Sequence, residues 1–301
     1  MSATTAAPQT TARSDARGSR APVRARRRPR RTGAVWGLVA WIAGLLFFLP
    51  VAYMVLTSLH SEADAATNPP SLAAPLTLSG YREFFGASTG ASPLPPLLNS
   101  LLASGLSTLF VLLLAIPAAY ALSIRPVRKW SDVLFFFLST KMLPAIAGLL
   151  PIYLFAQHVG LLDNIWLLIV LYTSMNLPIA VWMMRSFLSE VPVEILEAAS
   201  MDGAGLLTQF RTIIVPLSAP GIAATSLICF IFSWNEMLFA RVLTGVVSNT
   251  APVFLTSFVT SQGLFLAKVC AAAVAVSLPV LIAGFAAQDK LVQGLSLGAV
   301  K

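Results

Sequence analysis

Charged residues are scarce in this chain. Of its 301 residues only 11% are Asp, Glu, Lys or Arg, whereas soluble domains carry about 25%. Apolar residues make up 57% of the sequence, and the mean hydropathy is +0.80. This composition excludes an ordinary soluble domain and indicates an integral membrane protein.

Cysteine and histidine are almost absent, with two of each. Cys229 and Cys270 both fall inside long apolar runs, which predicts small packing residues and no disulfide framework or zinc site. His60 and His158 lie outside the apolar runs and have no nearby cluster of His, Cys or carboxylate residues at the spacing of metal ligands. The sequence therefore predicts no bound metal.

Sequence motifs for enzymatic chemistry are also missing. No G-x-x-x-x-G-K-[ST] phosphate loop and no H-E-x-x-H zinc motif occurs. We therefore predict that the chain is not an enzyme, has no catalytic residue and no cofactor, and does not hydrolyse ATP itself.

Long apolar runs are what the sequence has in abundance. A membrane-spanning helix needs about 20 consecutive apolar residues, because bilayer hydrocarbon offers no water to the backbone. Six such runs predict an all-α membrane protein with six transmembrane helices. They cover approximately residues 33–59, 97–124, 131–156, 161–187, 220–244 and 265–288.

Basic residues predict how these spans are oriented. Nine of the twenty Lys and Arg lie between Arg13 and Arg31, in a stretch that we expect to be disordered. A nucleic-acid role for this tail is conceivable, but an arginine run before a first span is more often a cytoplasmic anchor on anionic lipid. With the N-terminus inside, sixteen basic residues flank the inner face and three the outer face. We thus predict two parts, an arginine-rich cytosolic tail (residues 1–32) and a transmembrane domain (33–301), with both termini cytoplasmic.

The loop predicted outside, between spans one and two, contains the amphipathic piece LSGYREFFG, Leu78 to Gly86. This piece either lies along the outer membrane face or forms a packed loop. The sequence does not decide between the two.

One cytosolic segment between spans four and five breaks the apolar pattern. Pro192 and Glu194 are typical of a helix start. Apolar residues then recur at spacings of three and four, while acidic and amide residues occupy the other positions, so we predict an amphipathic helix and not a span. The apolar stripe comprises Leu196, Ala199, Gly203, Leu206 or Leu207, Phe210 and Ile213.

The middle of this segment predicts a bend. Gly203 permits a turn, and we expect Asp202 to cap a second short helix that begins near Ala204. Pro216 and Pro220 end the pair and redirect the chain into span five. Such a helix pair either transmits force from a soluble partner to the spans or merely lies on the membrane.

The residues of this segment carry a family resemblance. EAASMDG followed by FRTIIVPLSAPG resembles the EAA loop of permease subunits of binding-protein-dependent ATP-binding-cassette (ABC) importers. That loop has the pattern E-A-A, three residues, G, nine residues, I-x-L-P, and this chain departs from it only with Val215 in place of Leu. The resemblance implies a coupling-helix pair within residues 188–219 that docks on the ATPase. The matching and adjoining residues expected there are Glu197, Ala198, Ala199, Asp202, Gly203, Phe210, Ile213 and Pro216.

Further stretches resemble the carbohydrate-importer subgroup, most closely permeases assigned to sorbitol and mannitol. They include LSTKMLPAIAGLLPIYL, NLPIAVWMMRSFLSEVP and FSWNEMLFA. The resemblance implies a bacterial cell-membrane subunit that works with ABC ATPase subunits, a second homologous permease and an extracytoplasmic solute-binding protein, surrounded by lipid and without nucleic acid. The substrate it implies is a sugar or a polyol.

Polar residues inside the spans predict a translocation pathway. An ionised lysine near the bilayer midplane costs about 2.5–3.5 kcal/mol, so Lys141 needs a partner or water, and Glu236 is the acidic residue well inside a span. We hypothesise that these two residues form a pair. In the functional alternative Lys141, Asn176, Asn235 and Glu236 line a polyol pathway, and in the structural alternative they hold helices together. Trp234 either stacks on a sugar ring or packs in the core.

A self-sufficient secondary transporter is the alternative function. A proton-coupled carrier would be expected to place ionisable groups along a relay. Apart from Lys141 and Glu236, the interiors of the spans contain almost none.

Overall fold

The structure, a computed structural model, describes residues 31–67, 71, 73–86, 92–124, 127–260 and 263–298. Residues 1–30, which make up most of the predicted tail, lie outside this range. Internal contacts divide the chain into two units, one ending at Pro50 and one beginning at Val51. The packing reported below is that within the second unit.

The described residues are almost entirely helical, which confirms the predicted fold class. The helices are α1 (Arg31–Ser58), α2 (Glu62–Ala65), α3 (Ser79–Phe85), α4 (Leu94–Ser123), α5 (Trp130–Ser139), α6 (Ala145–His158), α7 (Ile165–Leu188), α8 (Val193–Met201), α9 (Leu206–Gln209), α10 (Val215–Leu217), α11 (Ala219–Trp234), α12 (Leu238–Leu243), α13 (Ala251–Leu255) and α14 (Leu266–Gly298). Two strands of two residues each, β1 (Val259–Thr260) and β2 (Gly263–Leu264), pair antiparallel.

Six helical segments are apolar and long enough to cross a membrane, if bent pairs count as single spans. Helices α1, α4, α7 and α14 qualify alone. Two bent pairs pass the same test together, Trp130–Met142 with Ala145–His158 at 83° and Leu206–Leu217 with Ala219–Trp234 at 76°. In the second pair α11 corresponds to the predicted fifth span, and the part before it belongs to the cytosolic segment of the prediction. The predicted six-span architecture therefore holds, although two spans differ in detail.

The third span is broken, where a continuous helix is predicted. After α5 a 3₁₀ turn, Thr140–Met142, leads into Leu143 and Pro144, both in extended backbone with ψ of 124°. Proline lacks an N–H group and disfavours helical backbone in the residue before it, so the helix stops and α6 starts in a new direction. Proline alone does not decide this, because Pro117 and Pro178 lie inside the continuous helices α4 and α7.

The fifth span is shorter than predicted. Helix α11 ends at Trp234, and the backbone leaves the helix at Asn235–Met237 before α12 begins. The carboxylate of Glu236 accepts hydrogen bonds from the backbone N–H groups of Phe239 (3.0 Å) and Ala240 (3.2 Å). Because these are the free N–H groups at the start of α12, Glu236 stabilises a new helix start in the middle of the predicted span.

The core of the second unit lies where α4, α7 and α11 pack together. The buried face of α4 is built of small residues, which allow neighbouring helices to approach closely in a membrane. These residues are Ala103, Ser104, Ser107, Ala115 and Ala119. A hydrophilic cross-link joins the three helices, since Asn176 Nδ2 donates to Ser233 Oγ (2.9 Å) and Ser107 Oγ donates to the same oxygen (3.1 Å).

The segment LSGYREFFG is helical and packs against its neighbours through one face. It forms α3, whose Phe84 is fully buried against Phe254 and Phe258. Nearby, the Glu62 carboxylate accepts the N–H groups of Ala267 (3.2 Å) and Lys268 (2.7 Å) at the start of α14. This end of the second unit is thereby fastened to the sixth span.

Candidate functional site: a bent helical elbow and an intramembrane cavity

The segment between α7 and α11 folds into an elbow, a name used here for residues Val193–Leu217. Its first arm is α8, and its second arm runs through α9, a π-helical turn (Phe210–Ile214) and α10. Pro192 is the residue that caps α8 (φ −63°, ψ 126°), and Glu194 lies in the first turn. The predicted start of the helix is therefore confirmed.

Gly203 makes the bend at the end of the first arm. Its φ of +84° is a conformation that residues with a Cβ rarely adopt. Gly203 N–H donates to the Ser200 carbonyl (3.1 Å), and Ala204 N–H donates to the Ala199 carbonyl (2.9 Å). These two bonds form a Schellman motif, which satisfies the free carbonyls at the end of a helix.

Asp202 does not cap the second arm, and that prediction is wrong. Asp202 is instead the C-cap residue that directly follows the first arm, at φ −75° and ψ 2°. The second arm begins at Leu206 after Gly205, without any side-chain cap. The reason is that the Schellman bonds at Gly203 and Ala204 close the first arm and leave two further residues before a new helix starts.

The second arm packs onto the end of α4. The rings of Tyr120 and Phe210 lie 4.8 Å apart between centroids, and Ile214 is fully buried. Phe210 and Ile213, both predicted site residues, are partly buried against the same core cluster as Leu196. The elbow is therefore attached to the spans through its second arm.

The outer surface of the elbow is both acidic and apolar. Glu197, Ala198 and Asp202 are exposed, as is Pro216, while Ala199 is half-buried. The predicted apolar stripe is wrong at Leu206 and Leu207, which are 55% and 83% exposed. Leu207 and Met201, the latter 89% exposed, flank the bend on its two sides. Met201 was not among the predicted site residues, although a methionine between two predicted helices is a sequence signal for a contact surface.

A second feature is a cavity of about 420 Å³ within the membrane-spanning region. Four of the five predicted pathway residues line it, namely Lys141, Asn176, Asn235 and Glu236. Tyr172 and Ser233 also contribute to its wall, and neither was predicted. Lys141 and Glu236 lie at the two helix breaks, which agrees with the rule that non-helical backbone at membrane depth lines cavities.

The proposed pairing of Lys141 with Glu236 is not present. Among the described residues the salt bridge found is that of Lys268 with Glu83. Glu236 uses both of its carboxylate oxygens on the backbone of α12. The two charged groups share the wall of one cavity without forming an ion pair.

The side-chain amides of Asn176 and Asn235 donate hydrogen bonds to residues of the helices around the cavity. Asn176 Nδ2 donates to the Tyr172 carbonyl (3.0 Å) and to Ser233 Oγ (2.9 Å), so both of its N–H groups are used. Asn235 Nδ2 donates to the Ile231 carbonyl (2.9 Å). The oxygen of the Asn176 amide remains as a hydrogen-bond acceptor. These residues thus combine elements of both alternatives, since they brace helices and also line the cavity.

Trp234 is placed away from the cavity. Its side chain is only 2% exposed and stacks on Phe230, with ring centroids 5.7 Å apart. It belongs to the buried cluster of Phe84, Phe254 and Phe258. Core packing, the second alternative for this tryptophan, is therefore the one that the structure supports.

The two cysteines are packing residues, as predicted. Cys229 and Cys270 are both buried and free. Within the part of the chain that the structure describes, no group of three His, Cys, Asp or Glu residues could hold a metal ion.

A cluster of hydrogen bonds around the carboxylate of Asp163, called the Asp163 knot below, was not predicted. It lies at the end of α7 that is opposite to the elbow. Asp163, which precedes α7 and has a φ of 55°, accepts the backbone N–H groups of Gly245 (2.8 Å), Val247 (3.0 Å) and Ser248 (2.8 Å). Partial burial tends to raise the pKa of the Asp163 carboxyl, but these backbone donors outweigh it and hold the pKa below its ordinary value. The knot fixes the loop between α12 and α13, with Val246 93% exposed at its tip.

Comparison with known proteins finds one family for most of the chain. Residues 84–296 match the profile described as "binding-protein-dependent transport system inner membrane component". A probable ABC transporter permease protein y4oR of Sinorhizobium fredii is 36% identical, covering 89% of this chain and 95% of the relative. The trehalose transport system permease protein SugB of Mycobacterium tuberculosis is 29% identical, covering 90% of this chain and 98% of the relative.

The fold agrees with that of a solved transporter. The crystal structure of a bacterial ABC transporter involved in the import of the acidic polysaccharide alginate includes a chain with a TM-score of 0.70 and 23% sequence identity. The likeness covers 87% of this chain and 98% of the other. Such permease subunits are membrane components without catalytic activity of their own. This multi-pass chain therefore belongs to the family of inner membrane components of binding-protein-dependent transport systems.

Proposed function

We propose that this chain is a permease subunit of an ABC importer that carries sugars or sugar alcohols into a bacterial cell. The observation that carries the proposal is the elbow, whose bend points away from the spans and exposes acidic and apolar side chains. Its other end is built into the spans. A soluble ATPase that binds such a surface can move the helices attached to it.

The elbow has a binding face and an anchoring face. Glu197, Ala198 and Asp202 lie on the exposed side together with Met201 and Leu207, and these form the contact with the ATPase. Ala199 is half-buried beneath them, and Gly203 makes the bend. Phe210 and Ile213 anchor the second arm in the core, and Pro216 leads the chain towards α11. Closure of two ATPase subunits would push the first arm, and the second arm would pass the movement to α11.

The orientation follows from this assignment. An ATPase that draws on cellular ATP places the elbow in the cytoplasm, and the positive-inside bias of the loops agrees. Both termini then lie in the cytoplasm. The Asp163 knot and α3 face outward, where a solute-binding protein would dock against this chain and a second, homologous permease.

The cavity forms the contribution of this chain to the translocation pathway. Lys141 supplies donors, while Glu236 and the amide oxygen of Asn176 supply acceptors. A mixed set of donors and acceptors suits a solute with many hydroxyl groups. We assign the solute to the sugars, in line with the trehalose system of SugB. Within that class we propose polyols such as sorbitol or mannitol, on the resemblance of spans three to five.

The central test is co-purification in mild detergent from cells that express the tagged chain together with its native partners. We expect an ABC ATPase and a second permease of similar size to accompany the tagged chain. Replacing Glu197 and Gly203 together, by Lys and Val, should remove the ATPase from the preparation and abolish uptake. If that variant still captured the ATPase and transported at the parental rate, or if uptake persisted after ATP depletion, the proposed function would be wrong.

The substrate needs a separate experiment. The solute-binding protein encoded with this chain should be purified and titrated with a panel of polyols, monosaccharides and disaccharides by calorimetry. We expect sorbitol or mannitol to bind most tightly. Tighter binding of a disaccharide would reject the polyol assignment and leave the permease assignment intact.

A further inference from the structure

Gln209 is a buried amide in the elbow. Its side chain is only 4% exposed, although its neighbours Leu207 and Thr208 are exposed. Both hydrogens of Nε2 are used, one on Ser200 Oγ (2.8 Å) and one on the Ala204 carbonyl (2.9 Å). A fully hydrogen-bonded buried amide holds its surroundings in one arrangement.

These two hydrogen bonds connect the two arms of the elbow. Ser200 belongs to the first arm, Ala204 to the bend and Gln209 to the second arm. The Ser200 hydroxyl in turn donates to the Leu196 carbonyl (2.8 Å), which extends the connection by one helical turn. Within the elbow residues that the structure describes, Gln209 is the side chain whose hydrogen bonds reach from one arm to the other.

The other contacts of the elbow do not by themselves fix the angle between its arms. The Schellman bonds close the end of the first arm but do not involve the second arm. The stacking of Phe210 on Tyr120 attaches the second arm to α4. Without Gln209 the two arms would be joined by the bend at residues 202–205 and by the apolar cluster that Leu196 shares with Phe210 and Ile213. Apolar contacts are not directional, so the angle between the arms would be held less firmly.

We propose that Gln209 is a positioning residue that locks the angle between the two arms, so that movement of the first arm is passed to α11 and not absorbed in the bend. This inference rests on the proposed function, because it presupposes that an ATPase binds the first arm. It concerns a residue that touches neither ATPase nor solute. Its loss should therefore lower the efficiency of coupling while leaving the subunits assembled.

The variants separate the hydrogen bonds from the volume of the side chain. Gln209→Met keeps the length of the side chain and removes both donors. Ser200→Ala removes one of the two acceptors, and Ser200→Thr keeps it. The matched control is Gln157→Met, the same substitution at an exposed glutamine near the end of α6.

The experiment uses the complete transporter, purified with its ATPase and second permease and reconstituted with its solute-binding protein in proteoliposomes. Two quantities are measured, the amount of ATPase retained per permease and the number of ATP molecules hydrolysed per solute imported. For Gln209→Met we expect retention equal to that of the parent and at least about fivefold more ATP per solute, the lower end of common coupling effects. Ser200→Ala should show a smaller increase, and Ser200→Thr should be closer to the parent than Ser200→Ala. Gln157→Met should show none.

The outcomes distinguish the two proposals. If the parent itself retains no ATPase, the proposed function fails, and the lock fails with it. If the parent is coupled and Gln209→Met has the parental ratio of ATP to solute, the lock alone is wrong. If Gln209→Met does not assemble, Ser200→Ala decides, because Ser200 is exposed and its loss leaves the Ala204 bond in place; an unchanged ratio in that variant would overturn the lock.

Discussion

Two bends in this chain are built in opposite ways. The bend of the elbow is closed by backbone hydrogen bonds at Gly203 and Ala204 and by the side chain of Gln209. The break between α5 and α6 is open. Lys141, Met142 and Leu143 are all exposed, and no hydrogen bond of the described side chains connects α5 to α6. The comparison indicates that the first bend is a rigid joint and that the second is the wall of a cavity.

This difference follows from the residues at each bend. Gly203 reaches a φ of +84°, which lets the chain turn back on its own helix and satisfy the carbonyls there. Pro144 removes an N–H group and turns the chain without supplying any replacement bond. One bend therefore gains hydrogen bonds as it forms, and the other leaves polar groups available to water or solute.

The largest effect is expected for Gly203→Val. A β-branched residue does not adopt the φ of Gly203, and strained backbone of this kind costs about 1–3 kcal/mol. The Schellman motif should open and the binding face should be displaced. We expect ATPase retention to fall by roughly tenfold, the change that about 1.4 kcal/mol produces in an affinity. Co-purification at fixed detergent concentration measures it.

Gly205→Ala is the matched control for this substitution. Gly205 lies two residues further on, has an ordinary φ of −67° and has no atom within 4 Å of an added Cβ. Alanine should therefore leave ATPase retention unchanged. Equal losses for Gly203→Val and Gly205→Ala would show that the bend is not a specific rigid joint.

The next effect concerns the contact between α7 and α11, the two helices that the elbow connects. A Cβ added at Gly221, in the first turn of α11, would overlap the ring of Phe187 on α7. Overpacking of this kind costs about 1–3 kcal/mol, so Gly221→Ala should lower the thermal stability of the purified complex. Gly148→Ala is the control, because its added Cβ would meet Ile152 Cδ1 at an ordinary 3.7 Å. Equal melting temperatures for both variants would contradict a tight contact between α7 and α11.

A smaller effect is expected at the Asp163 knot. Because the pKa of this carboxyl is held below its ordinary value of 3.8, its stabilisation is present above that value and is lost as the pH falls through the lower, folded-state pKa. Asn tolerates the positive φ of this position, so Asp163→Asn removes the charge without added strain. We expect hydrogen exchange of residues 244–250 to become about tenfold faster, the order expected for a lost charge-assisted hydrogen bond.

The pH dependence sharpens this prediction. Between pH 5 and pH 8, after correction for intrinsic exchange, parent and variant should differ by a constant factor, since the carboxyl stays ionised throughout. The two should converge only below the ordinary pKa of the carboxyl. Mass spectrometry of the loop peptide measures both, and convergence already at pH 6 would mean that the carboxylate does not hold the loop.

Much of the fold was predictable, because the length of apolar runs determines how many spans can form. The bend at Gly203 was predictable from glycine itself. The break at Pro144 was not, because Pro117 and Pro178 look similar in sequence and stay inside helices. Packing partners, which a single sequence does not show, decide which proline ends a helix.

Some features of the candidate site were likewise predictable from the sequence, and others were not. The cavity residues were predictable because polar side chains are rare in spans and therefore conspicuous. The partners of Asp163 and Gln209 were not, since one depends on backbone some 82 residues away and the other on the exact course of a bend. The pairing of Lys141 with Glu236 was wrongly predicted because the sequence does not show that Glu236 already serves the start of α12.

The smallest expected effect concerns the cavity beside the open break between α5 and α6. If Lys141 and Glu236 line a cavity without pairing, then Lys141→Met and Glu236→Gln should each lower uptake. If neither a direct contact nor the solute in the shared cavity links the two residues, their effects should be additive within about 0.3–0.5 kcal/mol when uptake rates are converted to free energies. The measurement is a double-mutant cycle on uptake at subsaturating solute, with equal assembly of the three variants checked first. A larger coupling energy would mean that the two charges are linked during transport, either by direct contact or through the solute in the cavity they share. If neither single variant changed assembly or uptake, the cavity would have neither of the roles considered for it.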